Sequence, residues 1–185
     1  MAAGLMRYAL AVLALALLGA CGPSGAAEPA PGEPTPYNAA DVEFLRSMVP
    51  HHEEGVRIAV LAERSEREEV RLLGGAIEAT QVAEIETMSN QLAEWRQPAT
   101  PPPDEHHRHE ERPSTAPAEL TSLEQATGAE FDRRFLNLML AHQDDAIQLA
   151  RQEVLAGQDP ATKELASRID RSRSAQIEQM LTLLG

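Results

Sequence analysis

Apolar residues recur at the three- and four-residue spacing of an amphipathic helix over most of the chain after residue 37. This pattern predicts four long helices, at about residues 38–64, 66–95 and 130–156 and from 160 to the C-terminus at 185. Asn38 or Asp41 is suited to begin the first, and Asp159-Pro160 is a typical start for the last. Strand patterns are nearly absent, and aromatic residues make up only 3% of the chain. The chain is therefore predicted to be all-α.

Two further signals concern the third helix. Thr121 and Glu124 have the spacing of a capping box, which predicts that a short segment opens at Thr121. Gly157 follows the apolar pattern and is a good residue to end the helix.

Pro50, inside the first helix, removes one backbone hydrogen bond, which predicts either a tolerated bend or a functional irregularity beside the following histidines.

The pattern of the first two helices returns in the last two, about 91 residues later. The motif Asp-x-x-Phe-Leu-x-x-Met-x-x-His begins at Asp41 and again at Asp132. Each copy is followed by an Ile-x-x-Met motif, ending at Met88 and at Met180. Two hairpins joined by one long connection predict a four-helix bundle made from a duplicated helical hairpin. The predicted domain spans residues 37–185, with halves 37–97 and 118–185 joined by a Pro- and His-rich loop, 98–117.

The first 20 residues have the pattern of a signal peptide, with Arg7 before an apolar stretch too short to span a membrane. They end in Leu18-Gly19-Ala20-Cys21, which is similar to a bacterial lipobox. We expect a diacylglycerol on Cys21, the only cysteine, followed by a Pro/Gly-rich tether at 21–36. The alternative is an ordinary secretory signal with an incidental cysteine. Either reading predicts export, the first as a lipoprotein of the cell membrane or outer membrane, facing the periplasm.

The formal net charge of the chain is −13. This acidity argues against nucleic acid as a partner, because no basic stripe is available to neutralise phosphates. It also argues against electrostatic docking on anionic lipid, so the lipid anchor alone would hold the protein at the membrane.

Methionine and histidine are the residue types with candidate chemistry. They share helix faces with each other at matching positions of both copies, and thioether sulfur with imidazole nitrogen suits copper. The alternative is that the methionines fill gaps in the core and the histidines are satisfied core residues. Glu84 could orient an imidazole or bind the metal itself. The predicted ligands are Met48, His51, His52, Glu84, Met88, Met139, His142 and Met180.

A second candidate site lies in the connecting loop. His106, His107 and His109 stand among acidic residues and could capture Cu(II), Zn(II) or Ni(II) at an exposed position.

The ordered motifs resemble the bacterial family called domain of unknown function 305. They are F-L-x-x-M-x-P-H-H from Phe44, Q-x-x-E-I-x-x-M from Gln81 and F-D-x-x-F-L-x-x-M-x-x-H from Phe131. The resemblance implies a ferritin-like four-helix bundle, often exported, with copper binding or copper tolerance in some members. This chain departs from the family pattern in its second half, where it has His142-Gln143 and Arg173-x-x-Gln176. We expect Arg173 to repel a cation, so one asymmetric site is favoured over two equal ones.

Three functions compete on these residues. The first is a copper-binding protein that buffers the metal or confers tolerance to it, and the second is a structural or interaction module on a membrane tether. The third, a di-iron oxidase, is disfavoured because the chain has no Glu-x-x-His motif. We therefore predict that the protein is not an enzyme. Its oligomeric state, monomer or homodimer, stays open.

Overall fold

The computed structural model describes residues 36–100 and 115–185. The predicted signal peptide, Cys21, the tether up to residue 35 and the histidines of the connecting loop (His106, His107 and His109) lie outside the described residues. The helices are α1 (Ala39–Val60), α2 (Glu68–Glu94), α3 (Pro117–Gln125), α4 (Gly128–Ala156) and α5 (Pro160–Leu184), with a 3₁₀ turn at Leu61–Arg64. Within these two ranges there is no strand, and no helix there is long and apolar enough to cross a membrane.

The four long helices form the predicted duplicated hairpins. α1 packs against α2 and α4 packs against α5, and the two hairpins meet chiefly along α1 and α4. The prediction of an all-α bundle is confirmed. The short helix α3 packs against α4. It begins at Pro117 instead of Thr121, whose hydroxyl donates to the Pro117 carbonyl from inside the helix, so the capping-box prediction was wrong.

Some helix ends are fixed by local hydrogen bonds, and another depends on contacts with a distant part of the chain. The Asn38 side chain caps α1 by accepting from the amides of Ala40 and Asp41, and Asp159 caps α5, as predicted. Gly157 ends α4, but with a φ of −68° that any residue adopts. A Cβ there would collide with the Glu153 carboxyl and lie 2.8 Å from Oδ1 of Asp41. Glycine is therefore needed at 157 for space, not for backbone conformation.

Two apolar clusters fill the bundle, one toward each end. The first contains Phe44, Leu45, Met48, Met88, Leu92, Leu165, Ala166 and Ile169. The second contains Ile58, Ile77, Phe131, Phe135, Leu136, Met139 and Met180. Each cluster draws on both hairpins, so their burial stabilises the association of the two halves as well as each half by itself.

Matched aspartates link each hairpin to the turn of the other. Asp41 of α1 accepts from the backbone amides of Gln158 and Asp159, between α4 and α5. Asp132, its repeat equivalent on α4, accepts from the Ser65 hydroxyl between α1 and α2 at 2.6 Å. Both aspartates are buried. The duplication therefore preserved a reciprocal contact as well as the packing of apolar side chains.

Asp41 also faces a second carboxyl group, that of Glu153, which is 2% exposed. Burial, followed by the hydrogen bond with Asp41, raises the pKa of Glu153 to about 8. For Asp41, burial is outweighed by the amides of Asn38, Gln158 and Asp159 and by the hydrogen bond with Glu153, and its pKa is lowered. Glu153 therefore carries a proton at neutral pH, which the neighbouring Asp41 carboxylate is suited to accept.

Glu153 should make the protein less stable as pH rises. Its pKa is higher in the folded state than in the unfolded state, so its stabilising contribution is complete below about pH 4.5 and is lost as pH rises to about 8. Glu153→Gln keeps a donor toward Asp41 but does not titrate. We expect its free energy of unfolding, relative to wild type, to increase by about 2–4 kcal/mol between pH 5 and pH 9.

The measurement is urea unfolding of both proteins across this pH range. Contributions from histidines are common to both and cancel in the difference. Glu86→Gln, at an exposed position of α2, is the control and should show no such trend. A difference between Glu153→Gln and wild type that does not change with pH would contradict a protonated Glu153.

Candidate metal centre

A layer of polar side chains crosses the middle of the bundle, between the two apolar clusters. Each long helix contributes two residues, at positions matched by the repeat. We call this set the polar layer: His51 and His52 of α1, Gln81 and Glu84 of α2, His142 and Gln143 of α4, and Arg173 and Gln176 of α5.

His51 and His142 occupy the same position in the two repeats, and they meet. Their rings stack with centroids 3.9 Å apart and an angle of 17° between the planes. Both ring nitrogens of His51 and Nε2 of His142 are buried and have no hydrogen-bond partner among the described residues. We call these two residues the histidine pair. It presents imidazole nitrogens in the core that the surrounding protein leaves unused.

His52, Glu84 and Arg173 form what we call the charged network. Nε2 of His52 lies 2.8 Å from Oε2 of Glu84, and Arg173 donates to that same oxygen. The His52 and Arg173 side chains are fully buried, and that of Glu84 is 14% exposed. Because the Glu84 oxygen is an acceptor, we assign the proton of His52 to Nε2. Its Nδ1 then carries a lone pair, which is buried without a partner in the described part of the chain.

Gln143, Gln176 and Gln81 form a second network, which we call the amide network. Gln143 donates to Gln176, and Gln81 donates to Gln143. The residues correspond one to one with the charged network: Gln143 with His52, Gln176 with Glu84, and Gln81 with Arg173. In both networks two partners come from one hairpin and the third reaches across from the other. The polar layer is thus one arrangement built twice, once with charges and once with neutral amides.

The electrostatics of the layer keep its imidazoles uncharged. Burial, with added repulsion from neighbouring imidazoles and Arg173, lowers the pKa of His51 to about 2 and that of His142 to about 3. Burial also lowers the pKa of His52, although the hydrogen bond that His52 donates to Glu84 acts in the opposite direction. For Glu84 burial is outweighed by His52 and Arg173, so its pKa is lowered and it stays ionised. A neutral imidazole with a free lone pair is the form that binds metal ions.

Gly55 makes room for the histidine pair. It lies one turn after His51 on α1, and its face of the helix meets α2 and α4. A Cβ at this position would collide with Oε1 of Gln81 and lie 2.5 Å from Nε2 of His142. The absence of a side chain at residue 55 therefore lets both polar groups approach α1.

The four predicted methionine ligands flank the polar layer in two pairs. Met48 and Met88 belong to one apolar cluster, and Met139 and Met180 belong to the other. All four are fully buried. Antiparallel packing places the two methionines of each hairpin together on one side of the layer. Each methionine still lies about one helical turn from a residue of the layer.

The predicted ligands thus divide into those that are available and those that are engaged. Imidazole nitrogens of His51, His52 and His142 are available, with thioethers one turn away. The Glu84 carboxylate is held by Arg173 and His52, so it orients His52 and does not face an open position. Among residues 36–100 and 115–185, no three His, Cys, Asp or Glu side chains converge as a preformed metal-binding group. The donors that the layer and its flanks leave unengaged are imidazole nitrogens and thioether sulfurs, the types that suit a soft ion.

Two features escaped prediction from the sequence. The protonated Glu153 carries no local signal, because its partner Asp41 is more than a hundred positions away in the chain. The second-half departures from the family pattern looked like the loss of ligands, although Gln143 bonds Gln176 as His52 bonds Glu84, and Gln81 reaches Gln143 as Arg173 reaches His52. Comparing the two repeats pair by pair, instead of residue by residue, would have found the correspondence.

The fold and the site together define an internally duplicated helical bundle with a His-containing polar layer that methionines flank on both sides. The family model for "Domain of unknown function (DUF305)" matches residues 41–184, so the chain belongs to this family. The resemblance in the motifs is thereby confirmed. A search of curated proteins found no match.

Solved structures share the fold over most of their length. A DUF305 fragment from Deinococcus radiodurans is 26% identical, with a TM-score of 0.71, covering 82% of this chain and 99% of that one. A DUF305 protein from Streptomyces coelicolor, described as a candidate secreted protein, is 27% identical, with a TM-score of 0.71, covering 78% of this chain and 91% of that one. CopM in its Cu(II)-bound form is 26% identical, with a TM-score of 0.65, covering 78% and 95%. CopM is also solved in Cu(I)- and Ag-bound forms.

Gly55→Ala should destabilise the bundle at the polar layer. The new methyl group would displace Gln81 and His142, and overpacking of this kind costs about 1–3 kcal/mol. Gly75→Ala is the matched control, since a Cβ at that exposed helical position meets nothing within 4 Å. Replacing a helical glycine there should stabilise by about 0.5–1 kcal/mol. Urea unfolding would measure both, and equal effects of the two substitutions would contradict the close packing described for Gly55.

Proposed function

We propose that this protein is an exported, lipid-anchored protein that binds copper and buffers it or confers tolerance to it. The ion would be held in the polar layer by imidazole nitrogens of His51 and His142, with His52 as a further nitrogen donor. Sulfur would come from the flanking methionines, Met48, Met88, Met139 and Met180. The single observation that carries the proposal is the histidine pair, whose stacked imidazoles are neutral and hold three buried ring nitrogens without a hydrogen-bond partner among the described residues.

Energetics support a ligand at the pair. A buried polar group without a partner costs about 1–3 kcal/mol, and the histidine pair carries three such nitrogens. Apolar side chains of similar volume would avoid this cost, as they do in the clusters on either side. A metal ion that accepts the lone pairs would offset it.

The relatives support copper as the ion. CopM, which shares this fold at 26–28% identity, is solved with Cu(II), Cu(I) and Ag bound. Cu(I) and Ag(I) are soft ions that prefer thioether and imidazole ligands, the two donor types that border this layer. The exposed loop histidines, His106, His107 and His109, would add a weaker capture site of the same chemistry.

The first residues of the chain support the proposed location at a membrane, outside the cytoplasm. The lipobox-like Leu18-Gly19-Ala20-Cys21 supports cleavage before Cys21 and attachment of a diacylglycerol to it. The Streptomyces relative described as a candidate secreted protein supports a place outside the cytoplasm. The tether would carry the bundle away from the membrane surface, and the metal would meet an extracytoplasmic environment.

We propose binding and not catalysis. The unpartnered nitrogens of the histidine pair are buried, and the one carboxylate of the polar layer is engaged by Arg173 and His52. General acid–base or redox chemistry would need substrate beside a titrating group or an exchangeable metal position.

A second candidate function is a membrane-tethered structural or interaction module whose polar layer only specifies how the hairpins pair. The observation that favours it is the charged network, in which Arg173 already neutralises Glu84 without any metal. Buried polar networks can specify one packing arrangement among alternatives. In that case the histidine pair would only destabilise the layer and would not bind a metal ion.

Replacing the histidine pair by phenylalanine should separate binding from stability. His51→Phe with His142→Phe keeps two stacked rings and removes the unpartnered nitrogens, so we expect stability to be maintained or increased. Affinity for Cu(I), titrated anaerobically against a competing chelator, should fall at least about 100-fold, beyond what losing an outer-sphere partner costs. Replacing His106, His107 and His109 together by Ala is the control and should leave the tight site intact.

The two candidate functions predict different results. Loss of Cu(I) binding only in the loop variant would assign the metal to the loop histidines and would exclude the histidine pair as the binding site. A folded wild-type protein that does not compete with the chelator would favour the structural module.

A further inference from the structure

Arg173 is the residue of the polar layer that a metal site explains least. It is 0% exposed, in contact with Glu84 and 3.2 Å from Nε2 of His52, while its own Nε has no partner among the described residues. A guanidinium is charged under all ordinary conditions. A permanent positive charge therefore lies inside the same layer as the histidine pair.

The charges of the layer cancel without a metal. Glu84 contributes one negative charge and Arg173 one positive charge, and the three imidazoles are neutral. The equivalent positions of the other repeat, Gln176 and Gln81, are amides and add nothing. A metal ion entering this layer thus meets no net negative charge to compensate its own.

Resting on the proposed function, we propose that Arg173 sets the charge specificity of the site, so that it accepts a monovalent soft ion and rejects a divalent one. The cost of burying an ion rises with the square of its charge, and repulsion by the guanidinium rises in proportion to it. Cu(I) and Ag(I) carry half the charge of Cu(II) or Zn(II). By holding Glu84, Arg173 also withholds the one carboxylate in the layer that could compensate a divalent ion.

The position of Arg173 on α5 fits this role. Its repeat equivalent on α2 is Gln81, whose amide reaches Gln143 across the hairpins in the way that Arg173 reaches His52 and Glu84. A glutamine at 173 could therefore contact His52 without the charge and without holding Glu84. The guanidinium adds charge to a contact that an amide can make.

The test compares two redox-inert ions, Ag(I) and Zn(II), on the full-length protein carrying Ala at His106, His107 and His109. Dissociation constants are measured by competition with a chelator for wild-type and Arg173→Gln proteins. Arg173→Gln frees the charge of Glu84, so we expect the Zn(II)-to-Ag(I) affinity ratio to rise at least about tenfold. Arg173→Lys keeps a positive charge at this position and should leave the ratio within about threefold of wild type.

Two further variants separate charge from shape and serve if Arg173→Gln does not fold. Glu84→Gln leaves Arg173 uncompensated, so Zn(II) affinity should fall by about the square of the factor lost for Ag(I). Glu84→Gln with Arg173→Gln restores neutrality and should return the ratio to the wild-type value. Folding of each variant is checked by circular dichroism.

The outcomes distinguish this inference from the proposed function. If the protein binds Ag(I) and the ratio is the same in wild-type, Glu84→Gln and Arg173→Gln proteins, copper binding stands and the role of Arg173 is wrong. If neither ion binds to folded wild-type protein or to any folded variant, the proposed function fails and the inference fails with it.

Discussion

The rest of the structure depends on one constraint, which is that a polar layer buried in the middle of a helical bundle must satisfy its own groups. Water is excluded there, so each unpartnered donor or acceptor weakens the fold. The charged network and the amide network meet much of this requirement with hydrogen bonds that cross between hairpins. These bonds form only when the two hairpins are in register. The histidine pair, at the meeting point of α1 and α4, holds three of the nitrogens that stay unpartnered, and Nδ1 of His52, Oε1 of Gln81 and Nε of Arg173 also have no partner among the described residues.

The duplication explains why there is one such place and not two. His51 and His142 are repeat equivalents, so their contact lies where the two halves are related to each other. A ligand held by both belongs equally to both hairpins. The reciprocal contacts of Asp41 and Asp132 with the opposite turns fix the same relation at the ends of the bundle. Ligand binding at the pair would therefore add to the stability of the association between halves, because it ties α1 to α4.

Local and periodic signals predicted most of the fold. The Asn38 and Asp159 caps, the two hairpins and the burial of all four methionines follow from spacing and residue type. What spacing does not determine is which side chains meet across the bundle. The pairing of Asp41 with Glu153 and the capture of Glu84 by Arg173 join residues about 90 or more positions apart. Such contacts depend on the packing of α1 against α4 and on the register between α2 and α5, neither of which is encoded in one helix.

The interpretation of Arg173 changes once its partner, Glu84, is known. Considered alone, an arginine on the face that should bind a cation indicates a lost site. Paired with Glu84, it contributes no net charge to the layer, and the metal-binding question moves to the neutral imidazoles. The two repeats then differ chiefly in charge, since one network carries an ion pair and the other carries neutral amides at the matching positions. The proposed site, between a balanced ion pair and a set of amides and bordered by thioethers, would favour an ion of low charge and high polarisability over one that needs carboxylates.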